Sequence, residues 1–360
     1  MYYSKEKPHK PIILIIGSGI IGKFNALELT KLGYEILIAD PLEMNNSSNA
    51  ALGILMGRIY QKRKGRAWIL REKSLKLWPK WIDFLKNYNP DLNIDKPLIQ
   101  LTTNIDKFKK LQRFVIDNPE DQFEILEENS KILNMVNKIF KKNKFKGIIS
   151  HEDGRINPHI LLKTLNSYLE KQDVKFIKEK VTKIERKGKE WISYIDKERN
   201  IKSDLVLLCN SLDSLKLINH KEYGIRLKPV IGQAIEIFCD NKDINFLSLP
   251  KQFSINSKNL IPISENKILI GSTNEYNSYK ASEAYINELT EFIKNKPKWL
   301  NKKQISKKWF GIRSRPEGEP SPILRSLEKG LILCTGFYKN GILLAPACAE
   351  WISNEVKKHI

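Results

Sequence analysis

The first forty residues combine two hydrophobic patterns. Ile12–Ile16 is an unbroken apolar run, which is typical of a strand that is buried on both faces. Apolar residues then recur at nearly helical spacing, and Gly33 follows as a residue that commonly ends a helix. A second apolar run covers residues 34–39. The pattern predicts a strand, a helix and a second strand; the residues of the helical stripe are Ile20, Phe24, Leu27 and Leu32.

Similar patterns continue along the chain and predict its fold class. We expect helices at residues 66–88, 105–116, 281–293 and 342–357, and another that starts at Asn157-Pro158, where Asn caps and Pro takes the first helical position. Strands are expected near residues 174–177, 180–186, 190–196, 204–210 and 331–336, with antiparallel strands between 224 and 272. This order predicts an α/β protein: a Rossmann-like nucleotide-binding domain assembled from several segments, and a second α+β domain on an antiparallel sheet.

Three glycines lie at the turn between the first strand and the first helix. Gly17, Gly19 and Gly22 have G-x-G-x-x-G spacing, in which glycine permits the tight turn, the approach of a pyrophosphate and close packing of helix on strand. Asp40 ends the second strand, where a carboxylate can accept hydrogen bonds from ribose hydroxyls. The motif predicts dinucleotide binding, disfavours NADP, and leaves NAD and FAD open.

Composition limits the partners. The chain has 62 Lys and Arg against 41 Asp and Glu, a net charge of +21, but the lysines are dispersed, which argues against a dedicated nucleic-acid site. The short polar N-terminal segment and the brief apolar runs predict no signal peptide and no membrane span, hence a cytoplasmic protein. No cluster of residues has the spacing of metal ligands, so we expect no metal. Homo-oligomerisation stays open.

Two later stretches distinguish FAD from NAD. SSNAALGILMG (47–57) is rich in small residues that let backbone run close to a flat ligand. Near the end of the chain, the strand at 331–336 leads through Lys339-Asn340-Gly341 into another helix. A second helix N-terminus would place positive charge near the far end of a long cofactor, as at the pyrimidine side of a flavin.

These stretches resemble the D-amino-acid oxidase family of flavoproteins, and most of all its glycine oxidases of thiamine biosynthesis. The N-terminal GSGIIG with Asp40, the AALGIL stretch and GFYKNGILLAPA (336–347) carry the likeness, the last being similar to the family's G-H-[FY]-R-N-G-I-L-L-A-P-A. INPHILLKTL (156–165) and LKPVIGQAIEI (227–237) also match. The resemblance implies FAD as cofactor, an FAD-binding domain of residues 10–90, 147–225 and 306–360, and a substrate domain of 91–146 and 226–305.

The resemblance also implies roles for individual residues. Arg313 would hold the substrate carboxylate, a task that suits the fork of a guanidinium; Lys339, Asn259 and Ile54 would also face the substrate. The residues expected to contact FAD are Gly17, Gly19, Ile20, Ile21, Gly22, Asp40, Pro41, Ser47, Ser48, Leu52, Gly53, Ile54, Val181, Gly336, Phe337, Tyr338, Lys339, Asn340, Gly341, Ile342 and Leu343.

The implied reaction is oxidative deamination of glycine or another small amino acid or amine. A hydride passes from Cα to flavin N5, the imine leaves, and oxygen reoxidises the flavin to give hydrogen peroxide, with imine use in the thiamine thiazole as the implied purpose. No catalytic side chain is expected. Departures from the family pattern, such as Lys339 for arginine and Phe337 for histidine, leave the substrate open. A dehydrogenase with another electron acceptor and an oxidase of a modified tRNA base remain alternatives.

Overall fold

A computed structural model describes residues 10–42, 46–141 and 143–360. The strands are β1 (Ile12–Ile16), β2 (Glu35–Ala39), β3 (Ile54–Leu55), β4 (Ile94–Asp95), β5 (Leu98–Thr102), β6 (Phe123–Ile125), β7 (Lys146–Ser150), β8 (Gly154–Ile156), β9 (Lys175–Ile177), β10 (Lys183–Lys187), β11 (Glu190–Tyr194), β12 (Asn200–Ser203), β13 (Leu205–Leu208), β14 (Leu227–Phe238), β15 (Phe253–Ile255), β16 (Lys258–Ser264), β17 (Lys267–Gly271), β18 (Glu275–Tyr276), β19 (Ile305–Pro316), β20 (Ile323–Glu328) and β21 (Leu331–Thr335). The helices are α1 (Ile20–Lys31), α2 (Gly65–Leu85), α3 (Ile105–Ile116), α4 (Lys131–Ile139), α5 (Pro158–Lys171), α6 (Asn287–Thr290) and α7 (Gly341–His359).

The first sheet is mostly parallel and runs in the order β20-β21-β13-β1-β2-β9. Its central strand β1 pairs in parallel with β2 and β13, and only β20 is antiparallel to its neighbour among the described strands. Ile13, Leu14 and Ile15 are fully buried, because α1, α2, α5 and α7 share a core with one face and the smaller β10-β11-β12 sheet packs near the other. This explains the unbroken apolar run at residues 12–16.

The second large sheet is mainly antiparallel and holds the long strands β14 and β19. These two pair from Leu227 opposite Pro316 to Ile237 opposite Ile305. Their common sheet has its own core, which includes Phe140, Phe253 and residues of α4 and α6. The α/β fold class with parallel and antiparallel sheets is thus confirmed. The sequence boundaries assign β14 and most of β19 to different domains, and the domain division stays a prediction.

Several predicted elements are confirmed in detail. Helix α3 has the predicted bounds, and α5 begins at Pro158 with the Asn157 side chain accepting hydrogen bonds from the backbone of His159 and Ile160. Strand β10 begins at Lys183, three residues later than predicted. The N-terminal segment on which the cytoplasmic prediction partly depends includes residues 1–9, which lie outside the described residues.

The prediction of a helix at residues 281–293 is wrong. The chain forms a 3-10 turn at Glu283–Ile286 and then the single turn of α6. The segment is fixed at its start by Gln233, which donates to the Ser282 carbonyl at 2.7 Å, and by Glu275, which accepts from the Ser282 amide at 2.9 Å. Ile286 and Leu289 are buried in the core of the large sheet, so tertiary contacts override the helical periodicity.

Candidate active site

A single cavity of about 1060 Å³ connects the two glycine-containing turns. It begins beside Asp40 and Val181, passes the turn at Gly17, and reaches Arg313 on β19 and the loop before α7. The N-terminal ends of α1 and α7 both line it. The cavity therefore joins segments from both ends of the chain, which is an arrangement suited to a long ligand.

The glycine turn leaves no space for side chains. Gly17 has a φ of +107°, and a Cβ there would lie 2.7 Å from the Cys209 carbonyl carbon. A Cβ on Gly22 would lie 1.8 Å from the Gly17 carbonyl oxygen, so this glycine holds α1 close to β1. Gly19 is the N-cap of α1 and has no side chain to cap the helix, although Ser48 Oγ accepts the Ile20 N–H at 3.0 Å. A helix end of this kind attracts an anionic group.

Asp40 stabilises the same turn from the end of β2. One carboxylate oxygen accepts the Ser18 backbone N–H at 2.6 Å, and the other accepts the Leu42 N–H at 2.6 Å. An ionised carboxylate has about four acceptor positions, so these bonds leave capacity for ribose hydroxyls. Asp40 and Asp213 are the acidic side chains among the described residues that line the cavity.

The loop before α7 carries the second helix end to the cavity. The Tyr338 N–H donates to the Ser314 carbonyl at 2.9 Å, which holds the loop against β19. Asn340 is the N-cap of α7, and no described side chain caps this helix. The second positive helix end predicted from the sequence thus faces the same cavity as the first.

Arg313 lies on β19 and extends over the neighbouring strand β14. Its guanidinium donates to Ser272 Oγ at 2.8 Å, to the Thr273 carbonyl at 3.2 Å and to Asn274 Oδ1 at 3.4 Å. A Cβ on Gly232 would lie 1.8 Å from Arg313 Nη2, so the absence of a side chain there makes room for the guanidinium. Burial lowers the pKa of Arg313 from its ordinary value, and the group stays charged because that value is very high.

Lys339 is exposed into the cavity one residue after Tyr338. The protein atoms around its ammonium group, together with the charges of Arg313 and Lys258, lower the pKa of Lys339 to about 8. The Tyr338 hydroxyl lies 3.3 Å from that of Tyr276, and burial with this contact raises the pKa of Tyr338 to about 12. Two phenolic O–H groups and an ammonium group therefore adjoin the guanidinium.

Most of the site residues expected from the sequence line this cavity. The exceptions are Gly22, Gly336 and Leu343. Gly336, with a φ of +71°, packs against Pro316 and Ile323, and Leu343 is buried in the helical core. The expected residues that do line it are Gly17, Gly19, Ile20, Ile21, Asp40, Pro41, Ser47, Ser48, Leu52, Gly53, Ile54, Val181, Asn259, Arg313, Phe337, Tyr338, Lys339, Asn340, Gly341 and Ile342.

Sequence reasoning missed several residues of the cavity. Gly232 could have been noticed, because glycine inside a strand often marks the close approach of another group. Ser272 gave no sequence signal. Arg71 lines the cavity from α2; it is 4% exposed, donates to the Met56 carbonyl at 2.7 Å and has its guanidinium carbon 3.9 Å from the centre of the Tyr60 ring.

The cavity fits FAD in shape and in chemistry. The glycine turn brings backbone N–H groups to one end, Asp40 supplies acceptors beside it, and the N-terminus of α7 brings a second positive helix end. Within the described residues, no group of His, Cys, Asp and Glu side chains could hold a metal ion. None of the helices built from the described residues is long and apolar enough to cross a membrane.

Comparisons with known proteins agree with this geometry. The model of the family described as FAD dependent oxidoreductase (DAO) matches residues 13–355. A glycine oxidase of Pseudomonas aeruginosa is 29% identical over 178 residues, which span 47% of this chain and 46% of that relative, so less than half of the relative is matched.

Solved structures show the same fold over nearly the whole chain. Glycine oxidase from Bacillus cereus has a TM-score of 0.81 and 18% identity, with coverage of 97% of this chain and 95% of that one. Glycine oxidase from Geobacillus kaustophilus has a TM-score of 0.82 and 20% identity, with coverage of 98% and 96%. The chain therefore belongs to the DAO family of FAD-dependent oxidoreductases, and FAD is its cofactor.

Proposed function

We propose that this protein oxidises glycine or another small amino acid or amine at Cα and releases the imine. The observation that carries the proposal is Arg313, a partly buried guanidinium in the cavity of an FAD-dependent oxidoreductase. When bound, FAD would accept a hydride at N5 and pass the electrons to oxygen, which gives hydrogen peroxide. The glycine oxidases among the similar proteins support a small amino acid as substrate.

Arg313 would bind the substrate carboxylate and fix the orientation of Cα. A guanidinium has five N–H donors, so its bonds to Ser272, Thr273 and Asn274 leave capacity for a two-point contact. These three partners also lock the side chain before the substrate arrives, which reduces the entropy lost on binding. Orientation can supply much of the rate enhancement for a reaction that needs no strong side-chain base.

We also propose that the glycine turn, Asp40 and residues 47–54 hold the adenosine and diphosphate part of FAD, and that residues 336–342 hold the flavin. On this view, residues 10–90, 147–225 and 306–360 form the FAD-binding domain, and residues 91–146 and 226–305 the substrate domain. Hydrogen exchange with and without FAD tests this assignment. Protection by FAD should concentrate in the first set of segments, and equal protection of both sets would contradict it.

The deciding experiment is anaerobic reduction of the bound flavin. The purified holoenzyme is mixed with glycine, sarcosine and D-amino acids, and flavin bleaching is followed at its visible absorbance. Substrate turnover in air should then produce hydrogen peroxide. Bleaching without peroxide would indicate a dehydrogenase with another acceptor, and no bleaching by any amine would rule out amino-acid oxidation.

Arg313→Ala gives the residue-level test. We expect retained FAD and a KM for carboxylate substrates raised roughly tenfold to a hundredfold, because a charge-assisted pair is lost. Loss of FAD instead would mean that Arg313 supports the cofactor.

We further propose that the protein acts in the cytoplasm and that the imine from glycine serves thiazole formation in thiamine synthesis. Thiamine-independent growth of a deletion strain would argue against that role.

A further inference from the structure

The cavity has an excess of positive charge. Among the described residues, three of its cationic side chains form no ion pair: Arg71, Arg313 and Lys339. Lys180 and Lys216, which also line it, are different because each pairs with Asp213, at 3.2 and 2.6 Å. Arg71 and Arg313 are held by hydrogen-bond acceptors of the protein, whereas Lys339 is exposed to the cavity and is available to an anionic ligand.

Arg313 and Lys339 lie next to one another. The hydrogen bond from the Tyr338 N–H to the Ser314 carbonyl, 2.9 Å long, joins the residues adjacent to each of them. The closest acidic influence on Arg313 is Glu275, which is 2% exposed and accepts bonds from Gln233, Thr273 and Ser282 outside the cavity lining. This carboxylate offsets part of the charge of Arg313.

Among the described residues, no carboxylate acts on Lys339 in this way. The charged groups that act on it are Arg313 and Lys258, both cationic, and Lys258 already pairs with Glu288 at 2.8 Å. A substrate with a single carboxylate on Arg313 would leave the ammonium group without a counter-charge. Lysine also suits a group whose position varies, because it is a flexible point charge and not a planar fork.

We infer that the substrate carries a second carboxylate, which Lys339 binds while Arg313 binds the one next to the reacting Cα. The substrate class is then a dicarboxylic amino acid or secondary amine. The Lys339 ammonium group lies 5.2 Å from the centre of the Tyr338 ring, and the Tyr338 hydroxyl, which lies 3.3 Å from that of Tyr276, can donate to the same carboxylate. This inference rests on the proposed function, because it assumes that the first carboxylate belongs to an amine substrate.

Binding of small carboxylates to the holoenzyme tests the inference without turnover. Acetate, malonate and succinate are titrated by isothermal calorimetry and by the change in flavin absorbance. We expect at least one dicarboxylate to bind roughly tenfold to a hundredfold more tightly than acetate. Lys339→Met should abolish this preference, so that acetate and the dicarboxylates bind with similar affinity, and the circular-dichroism spectrum measures intact folding.

Lys258→Met is the matched control, since it removes a nearby lysine that does not line the cavity, and the preference should persist. Equal binding of acetate and both dicarboxylates to the wild-type protein would overturn the inference. So would a Lys339→Met variant that keeps the preference but reduces flavin slowly with every amine, because that result would make Lys339 a proton acceptor.

Flavin reduction separates failure of this inference from failure of the proposed function. Sarcosine and N-carboxymethylglycine have the same amine and differ by one carboxylate. If both bleach the flavin at equal affinity, amine oxidation stands and the second carboxylate site fails. If neither these nor any other amine bleaches it, the proposed oxidation fails whatever the calorimetry gives.

Discussion

At the scale of single residues, the position of Arg313 depends on a residue that has no side chain. Gly232 lies on the neighbouring strand, and its Cα is directly beneath the guanidinium. Ser272 and the Thr273 carbonyl then set the direction of the fork. The proposed carboxylate site therefore depends on strand pairing and not on any local motif.

Gly232→Ala should displace the guanidinium, because the new Cβ would lie 1.8 Å from Nη2. We expect the KM for a carboxylate substrate to rise roughly tenfold or more while FAD remains bound. Steady-state kinetics with the flavin content as reference measure this. Arg313→Lys, which keeps the charge and loses the fork, should give a similar defect. An unchanged KM in Gly232→Ala would show that Arg313 adopts another position in the complex.

The pH dependence of anion binding follows from Lys339, whose pKa of about 8 lies below the ordinary lysine value. Below pH 8 the ammonium form predominates and attracts a second carboxylate; above it, the neutral amine does not. Arg313 stays charged, and Tyr338, with its pKa raised to about 12, stays protonated. Malonate affinity should therefore fall as pH rises through about 8, and acetate affinity should change little. Calorimetry across this range checks it, and Lys339→Met should remove the difference.

At the scale of elements, two helix N-termini face one cavity from opposite ends of the chain. Helix α1 starts at the glycine turn and α7 at Gly341, and the two helices pack against each other in the same core. Because the two helices share that core, a change in the position of one helix shifts the position of the other. The spacing between the two positive ends is thus fixed by packing of the helices and not by the ligand.

Gly22→Ala tests whether the position of α1 depends on its close packing against β1. Its Cβ would lie 1.8 Å from the Gly17 carbonyl oxygen, so α1 must move away from β1 and the turn must open. We expect loss of FAD on purification and destabilisation of roughly 2 kcal/mol or more, as for other overpacked sites. Absorbance and urea unfolding measure the two effects. Gly33→Asn at the other end of α1 is the control, because its Cβ position is open and Asn tolerates a positive φ.

At the scale of the whole molecule, buried charge joins the segment between β3 and α2 to the second large sheet. Asp121, between α3 and β6, has a side chain 2% exposed and bonds to Arg63, with Arg58 at 3.6 Å. The Arg63 guanidinium also lies 4.9 Å from the centre of the Trp68 ring and 4.8 Å from that of Phe114. The segment after β3 is thereby tied to the segment around β6.

Asp121→Asn should weaken this tie. Removing the carboxylate charge leaves the largely buried Arg63 with only the exposed Glu120, 3.6 Å away, as a counter-charge, which costs about 3 kcal/mol of unfolding free energy. Urea denaturation of the holoenzyme measures it. Asp196→Asn, which breaks an exposed pair with Arg199, is the control and should change the stability little. A similar small effect in both variants would show that the Asp121 pairs do not stabilise the contact between the segment after β3 and the segment around β6.

The sequence revealed those parts of the fold and site that are encoded over short stretches. The glycine turn with Asp40 and the loop at residues 336–341 are continuous motifs, so both could be recognised, and the strand and helix periodicities gave the α/β class. The contacts of Arg313 with its neighbours could not be recognised in the sequence, because Gly232 and Ser272 meet this side chain only after β14 and β19 pair. Arg71 reaches the cavity only through the packing of α2. The prediction of a helix at residues 281–293 was wrong for a similar reason, because contacts with residues far away in the sequence decide the conformation of this segment.

The two ends of the cavity differ in whether backbone or side chains form their surface, and this difference has an evolutionary consequence. The end near Gly17 and Asp40 consists largely of backbone, which most substitutions would break, whereas the end near Arg313 consists of side chains projecting from a sheet that folds around its own core. On the proposed assignment, a mutation at Asn259, which lines the cavity from β16, alters the substrate end and leaves the glycine turn and Asp40 unchanged. Related proteins can therefore come to act on different substrates while they keep the same FAD-dependent reaction.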